Sequence, residues 1–168
     1  MHGGMFYILE NMKVKNIIIG VQAEEYENCK EFIKLAKQRK VKIKVLERGD
    51  IYYIDNDTYL EVLFPDIKYT ILENKINNNS LVFKLIYKEF SILFTGDIEE
   101  EAEKYLVKEY KNSLKSTILK VGHHGSKTSS ISEFIDCVKP KIALIGVGQN
   151  NNFGHPNEEV LKRLIKLR

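Results

Sequence analysis

The second half of the chain repeats one pattern, in which a short apolar segment ends in a polar loop that contains glycine. Of all features of the sequence, this pattern restricts the possible folds most strongly. An amphipathic segment follows each of these loops. Strands that alternate with helices in this way are typical of a layered α/β fold. The predicted strands are residues 90–95, 117–121 and 141–147, and the predicted helices are residues 98–110, 130–138 and 157–167.

The first half of the chain contains further β-structure. A predicted helix at 24–39 lies between two short strands, and a β-rich stretch with a hairpin turn at Lys88-Glu89 follows. Ser130 and Glu133 have the spacing of a helix capping box. The 168 residues suit a single domain with a layered α/β architecture. The remaining predicted strands are residues 16–20, 42–46, 51–54, 59–64 and 80–87.

Composition restricts the function only weakly. A net charge of +3 does not by itself indicate nucleic-acid binding, because such proteins usually concentrate a larger basic excess on one face. No apolar run approaches the roughly 18–20 residues that span a bilayer. The N-terminus lacks the layout of a signal peptide. We therefore expect a soluble chain without a transmembrane segment.

Three polar loops that follow predicted strands contain the candidate site residues. Asp97 comes directly after Thr95-Gly96, His123 and His124 lie between two glycines, and His155 precedes Pro156. Alone, Asp97 could simply cap the next helix, and His155 could be an ordinary surface histidine. Paired histidines between glycines are harder to explain by packing, because imidazole is the commonest metal ligand and acid–base group near neutral pH.

Together, Asp97, His155 and either His123 or His124 are a plausible ligand set for zinc or manganese. A divalent metal at such a site activates water for hydrolysis at neutral pH. The hydroxyl-rich run behind the paired histidines could orient a histidine or a substrate oxygen. The spacing alone does not distinguish a phosphodiester from an ester or an amide substrate.

Four segments resemble the C-terminal metallo-β-lactamase-like domain of the ComEC family of competence and DNA-internalisation proteins. They are NNNSLVFKLIY, ILFTGDIEEEAEKYL, ILKVGHHGSKTSS and GQNNNFGHPNEEVLKRL. The resemblance extends over nearly the whole chain from Asn77 onward. It implies an αββα sandwich with metal at one edge, and a nuclease-type hydrolase that acts on DNA during its uptake.

The resemblance also implies roles for individual residues. Asp97, His123 and His155 are the expected metal ligands for one or two zinc or manganese ions, and Asp97 and His124 are the expected catalytic residues. The implied partners are single-stranded DNA and a membrane channel subunit or the rest of a longer chain. The location would then be the extracytoplasmic face of the membrane, and otherwise the cytoplasm. The expected substrate-contacting or supporting residues are Asn79, Ser80, Ser126, Lys127 and Thr128.

One departure from the family pattern concerns the N-terminus. Metallo-β-lactamase-fold enzymes take most of their first metal ligands from an HxHxDH-type motif, and here only His2 stands near that place. We therefore expect an incomplete metal site and a sandwich that lacks its first strands. Two alternatives stay open: a stand-alone hydrolase of a small ester or phosphodiester, and a catalytically inactive fragment with at most a binding role.

Overall fold

The computed structural model describes residues 3–166, over which helices lie between single strands or groups of consecutive strands. The helices are α1 (Gly3–Asn11), α2 (Glu27–Gln38), α3 (Lys75–Asn78), α4 (Glu100–Tyr110), α5 (Ser132–Val138) and α6 (Glu158–Ile165). The strands are β1 (Asn16–Gly20), β2 (Lys42–Leu46), β3 (Ile51–Tyr53), β4 (Thr58–Phe64), β5 (Val82–Tyr87), β6 (Phe90–Phe94), β7 (Ile118–Lys120) and β8 (Ile142–Leu144).

The strands form two sheets. β1 and β2 pair in parallel as a two-stranded sheet, and the other six strands form a sheet in the order β3-β4-β5-β6-β7-β8. Neighbouring strands from β3 to β6 are antiparallel, and they include the predicted hairpin between β5 and β6. Strands β6, β7 and β8 are parallel. The predicted layered α/β fold is therefore confirmed.

Two hydrophobic clusters stabilise these layers. The larger cluster packs one face of the six-stranded sheet against α4, α5 and α6, and it includes the fully buried Leu93, Leu106 and Leu119. The smaller cluster joins α1 and α2 to the two-stranded sheet through Leu9 and Ala36, among others. Alternating strand residues point to opposite faces of a sheet. The apolar residues of β6 and β7 that point to the same face therefore pack against these helices.

Arg48 connects the segment after β2 to the larger layer. Its guanidinium donates to the Asp66 carboxylate (3.2 Å) and to the Glu109 carboxylate on α4 (2.6 Å). It also donates to the hydroxyl of Tyr105, which in turn donates to Asp66. The backbone N–H of Arg48 donates to the carbonyl of Pro65 at 2.8 Å. The two layers are thus joined by ionic and backbone hydrogen bonds.

Two local predictions differ from the structure. The segment predicted as one helix at 24–39 is a 3-10 turn at Ala23–Glu25 followed by α2, which begins at Glu27. The predicted capping box is wrong, because α5 begins at Ser132 and no side chain of its own caps it. A carboxylate from another helix holds the segment just before α5: Glu103 accepts hydrogen bonds from the N–H groups of Ser130 (2.6 Å) and Ile131 (2.8 Å).

The described part of the chain contains no helix with both the length and the apolar character needed to cross a membrane. His2, the residue nearest to the expected N-terminal motif, lies outside the described residues.

Candidate active site

The ends of three parallel strands bring the predicted site loops to one edge of the six-stranded sheet. β6, β7 and β8 lie side by side in the same direction, so their carboxyl ends share an edge. Asp97 follows β6, the paired histidines follow β7, and His155 lies in the long loop after β8. This placement agrees with the general position of ligand sites in α/β sheets.

The paired histidines have an unusual backbone conformation. His123 (φ 43°) and His124 (φ 56°) are both left-handed, which costs a non-glycine residue about 1–2 kcal/mol. Hydrogen bonds hold the turn in place: the His123 N–H donates to the Gly96 carbonyl at 3.3 Å, and the Ser129 hydroxyl donates to the Gly122 carbonyl at 2.9 Å. Strained backbone that the surroundings enforce is a frequent property of functional sites.

The imidazole of His124 lies between a carbonyl and a carboxylate. Its Nδ1 lies 2.6 Å from the Gly146 carbonyl oxygen. Because a carbonyl oxygen only accepts hydrogen bonds, Nδ1 carries the proton and Nε2 of the neutral ring carries the lone pair. That Nε2 is 3.5 Å from Asp97 Oδ1. Two electron-rich atoms therefore face one another, an arrangement that a proton or a metal cation between them would stabilise.

His123 faces a second carboxylate, that of Glu99. Its Nδ1 is 3.0 Å from Glu99 Oε1, but the two groups are not aligned for a hydrogen bond. The Glu99 carboxylate is almost buried and accepts hydrogen bonds from the side-chain amides of Asn74 (2.7 Å) and Asn77 (3.0 Å). Asn78 fixes the backbone beneath it, since its Oδ1 accepts from the Glu99 N–H at 2.9 Å.

Lys120, at the end of β7, supports the Asp97 loop. Its ammonium group donates to the Gly96 carbonyl at 2.7 Å and lies 3.9 Å from Asp97 Oδ1. Burial lowers the pKa of Lys120, and the nearby Asp97 carboxylate opposes that shift. Ser80 holds the same loop from the other side, because its hydroxyl accepts a hydrogen bond from the Asp97 N–H at 3.2 Å.

A cleft of about 550 Å³ opens beside these groups, and His123, His124 and His155 line it. The rings of His123 and His155 have centroids 5.7 Å apart. Burial lowers the pKa of His155, and the neighbouring His123 and His124 lower it further. The loop that carries His155 packs on the paired-histidine turn, since the Asn157 N–H donates to the Gly125 carbonyl at 2.8 Å.

The expected supporting residues have different surroundings. Ser80 contacts the Asp97 backbone, whereas the buried Asn79 makes its hydrogen bonds to the backbone of Ile71 and Lys75. The hydroxyls of Ser126 and Thr128 bond one another at 2.9 Å, and both Lys127 and Thr128 are exposed. Whether any of them contacts a substrate stays a prediction.

Sequence reasoning missed several residues of the cleft region. Glu99 was not among the predicted site residues, although it is nearly buried beside His123. Lys120 is the last residue of β7 and was not predicted as a site residue. Its position between the apolar Leu119 and Val121, at the end of a strand, was the one sequence feature that could have indicated it. Asn77, Asn151 and Phe153 also line the cleft. Only the three-dimensional arrangement of the loops reveals their positions.

The fit of these residues to a metal ion is partial. His123 Nδ1 and His124 Nε2 are buried and have no hydrogen-bond partner among residues 3–166, and each lies beside a carboxylate. Such orphaned nitrogens suit a cation, because a buried polar atom without a partner is otherwise costly. Yet no group of three or more His, Cys, Asp or Glu side chains within that range is placed to hold a metal. The full ligand set of Asp97, His123 and His155 therefore stays a prediction.

Taken together, the chain is an α/β protein of layered sheets and helices with a histidine- and carboxylate-lined cleft at a strand edge. Its relatives specify the family. It is 35% identical over 157 residues, 94% of its length, to ComE operon protein 3 of Bacillus subtilis (strain 168). It is 38% identical over 88 residues, 52% of its length, to competence protein ComA of Neisseria gonorrhoeae. It is 31% identical over 106 residues, 63% of its length, to recombination protein 2 of Haemophilus influenzae.

The resemblance seen in the sequence is thus confirmed: the chain is homologous to a segment of the competence proteins of the ComEC family. It spans 20% of the length of the Bacillus protein and 13% of each of the other two. No family model matches the chain.

Among solved structures, the chain is similar to a crystal structure described as a metal-dependent hydrolase from Parabacteroides distasonis. The TM-score is 0.49 and the sequence identity 19%, over 88% of this chain and 60% of that one. A similarity of this size carries no inference about ligands or activity.

Proposed function

We propose that the chain forms the catalytic part of a metal-dependent phosphodiesterase that hydrolyses DNA during its uptake by competence-type machinery. The observation that carries the proposal is the cleft in which His123 and His124 direct orphaned ring nitrogens at Glu99 and Asp97. Relatives named competence and recombination proteins support DNA as the substrate.

The chemistry follows from the donor atoms available. Asp97, His123 and His155 would hold a divalent cation such as zinc or manganese, since imidazole nitrogen and carboxylate oxygen are the ligands those ions prefer. When bound, the cation would stabilise negative charge on the phosphoryl group and activate water. The neutral His124 ring carries its proton on Nδ1, which donates to the Gly146 carbonyl. Its Nε2 is therefore free to accept a proton beside Asp97.

Lys120 supplies the only positive charge that the described residues place within 4 Å of the Asp97 carboxylate. In this role it is a positioning residue: it fixes the Gly96 carbonyl, and through it both the Asp97 loop and the His123 turn. A phosphodiester is an anion, so a cation at the strand edge also favours its approach.

The test is hydrolysis of a labelled single-stranded oligonucleotide after the protein has been stripped with chelator and reloaded with Mn²⁺ or Zn²⁺. We expect cleavage that requires the metal and falls at least about 100-fold in His123→Ala and in Asp97→Asn. Lys162→Ala is the matched control, because this lysine is exposed on α6 and pairs only with Glu158.

The same samples distinguish the alternatives. Cleavage of p-nitrophenyl acetate or bis(p-nitrophenyl) phosphate without cleavage of DNA would replace the proposal by a small-substrate hydrolase. No cleavage of any substrate by the metal-loaded parent protein would contradict catalysis by this chain and favour a binding role.

A further inference from the structure

Phe153 is the most exposed side chain of the cleft, with 81% of its surface accessible. A phenylalanine is a large apolar group, and leaving it in water forgoes the stabilisation that burial would give. In the larger cluster, by contrast, Leu93, Leu106 and Leu119 are completely buried. Single apolar side chains are often exposed on protein surfaces, and Leu72 is as exposed as Phe153. The feature that distinguishes Phe153 is its position in the cleft beside the three histidines.

The ring of Phe153 is held in a defined orientation. It lies nearly parallel to the imidazole of His155, with centroids 5.8 Å apart and an angle of 20° between the planes. One face of the phenyl ring thus meets His155, and the high accessibility leaves the opposite face open.

Asn151 fixes the loop that carries both rings. Its Oδ1 accepts hydrogen bonds from the N–H groups of Phe153 (3.1 Å) and His155 (3.0 Å). Its Nδ2 donates to the carbonyls of Gly148 (3.0 Å) and His155 (2.7 Å). One side chain therefore ties four backbone groups, and the loop is organised before any ligand arrives. A preorganised aromatic surface loses little conformational entropy when it binds.

We propose that Phe153 is a stacking platform for an unpaired nucleobase, so that the cleft takes single-stranded nucleic acid. Planar bases stack on exposed aromatic side chains with little preference for sequence. In a duplex, both faces of a base are covered by its neighbours, and only an unpaired, splayed base can reach the ring. The inference rests on the proposed function, since it names the substrate class of the same cleft.

The position of the ring agrees with that assignment. Phe153 and His155 are in contact, and His155 is 5.7 Å from His123 in ring centroids. A base stacked on Phe153 would carry its own phosphate toward the imidazoles, because base and phosphate are separated by a single sugar. A small phosphodiester without a nucleobase could not stack on Phe153.

The absence of tryptophan from the chain gives a direct test. Phe153→Trp has a single tryptophan at the platform, and Tyr53→Trp has a single tryptophan at a site on β3 whose native side chain is 67% exposed. Both are titrated in chelator, so that nothing is hydrolysed, with a single-stranded oligonucleotide, a base-free phosphodiester chain of equal length, and a blunt duplex. We expect saturable quenching of the Phe153→Trp fluorescence by the single strand alone, and no change in Tyr53→Trp.

Affinity provides the second measurement. Phe153→Ala should bind the single-stranded oligonucleotide about 5- to 150-fold more weakly than the parent protein, which is the range for loss of one stacked base. Phe153→Tyr should restore most of that loss, and Tyr53→Ala should bind like the parent.

Equal quenching by the base-free chain, quenching by the duplex, or unchanged affinity in Phe153→Ala would each overturn the platform. Because these measurements need no hydrolysis, their outcome is separate from that of the proposed function. Metal-dependent cleavage by the parent without quenching would refute the platform alone, and quenching without cleavage would refute the catalysis alone.

Discussion

A single buried carboxylate on α4 holds the loop that follows the paired histidines. Glu103 is completely inaccessible, and it accepts hydrogen bonds from the backbone N–H groups of Ser130 and Ile131. Ser130 itself is left-handed (φ 60°), so the carboxylate compensates a strained turn. Burial raises the pKa of Glu103 to about 7, while the two backbone hydrogen bonds and the charge of Arg163 on α6 oppose the rise and Glu100 on the same helix adds to it.

This pKa predicts a pH-dependent stability. Because the folded-state pKa lies above the value of 4.5 for an ordinary Glu, the folded chain binds more protons than the unfolded chain between pH 4.5 and about 7. We therefore compare the free energy of unfolding of the parent with that of Glu103→Gln at each pH. The difference, parent minus variant, should fall as pH rises through that interval, by up to about 1.4 kcal/mol per pH unit. Urea denaturation across the interval measures it.

The control for this prediction is Glu101→Gln, on the same helix but partly exposed. A pH dependence of Glu103→Gln that matches the parent protein throughout would contradict the assigned role.

At the scale of the elements, the two loops that carry the histidines fit closely against each other. Gly125 ends the paired-histidine turn with φ of 77°, and a methyl group built on it would lie 2.9 Å from the Pro156 side chain. The same residue accepts the hydrogen bond from the Asn157 N–H that starts α6. The distance between His123 and His155 therefore depends on this contact.

Gly125→Ala should lower the free energy of unfolding by about 1–3 kcal/mol, because alanine is strained at positive φ and also meets Pro156. Gly148→Ala is the matched control in the neighbouring loop, since nothing lies within 4 Å of its added methyl group. Equal stability of the two variants would show that the loops do not pack as described.

The elements were largely predictable from the sequence, and the contacts between them were not. Period-two and period-3.6 patterns predicted the eight strands and the helices α2, α4, α5 and α6, whereas α1 and the short α3 were not among the predicted helices. The predicted capping box is wrong because α5 begins at Ser132, and the backbone N–H of Ser130 donates instead to Glu103, 27 residues earlier in the chain. The Glu99–His123 pair depends on the same kind of long-range placement, which no local pattern encodes.

At the scale of the whole molecule, Arg48 is one of the polar connections between the segment that follows β2 and the larger layer. It bonds Asp66, Tyr105 and Glu109 at once. Its side chain is 32% exposed, so solvent weakens each ion pair. The combined effect of three partners still exceeds that of an isolated surface pair.

Arg48→Ala should lower the free energy of unfolding by about 1–2 kcal/mol, because it leaves Asp66 and Glu109 without their shared cation. Arg39→Ala should change it by less than about 0.5 kcal/mol, since Arg39 is exposed and its side chain donates only to the Glu10 carbonyl. Chemical denaturation of both variants beside the parent protein checks the difference. A loss in Arg48→Ala no larger than in Arg39→Ala would argue against this connection.

The proposed catalysis requires that the histidine- and carboxylate-lined cleft binds a metal ion. The most direct measurement is the number of zinc or manganese ions bound per chain, in the parent and in the Asp97→Ala/His123→Ala/His155→Ala variant. We expect about one or two ions in the parent and none in the variant, while both stay folded. Metal-free parent protein, or equal metal in both samples, would contradict the proposal.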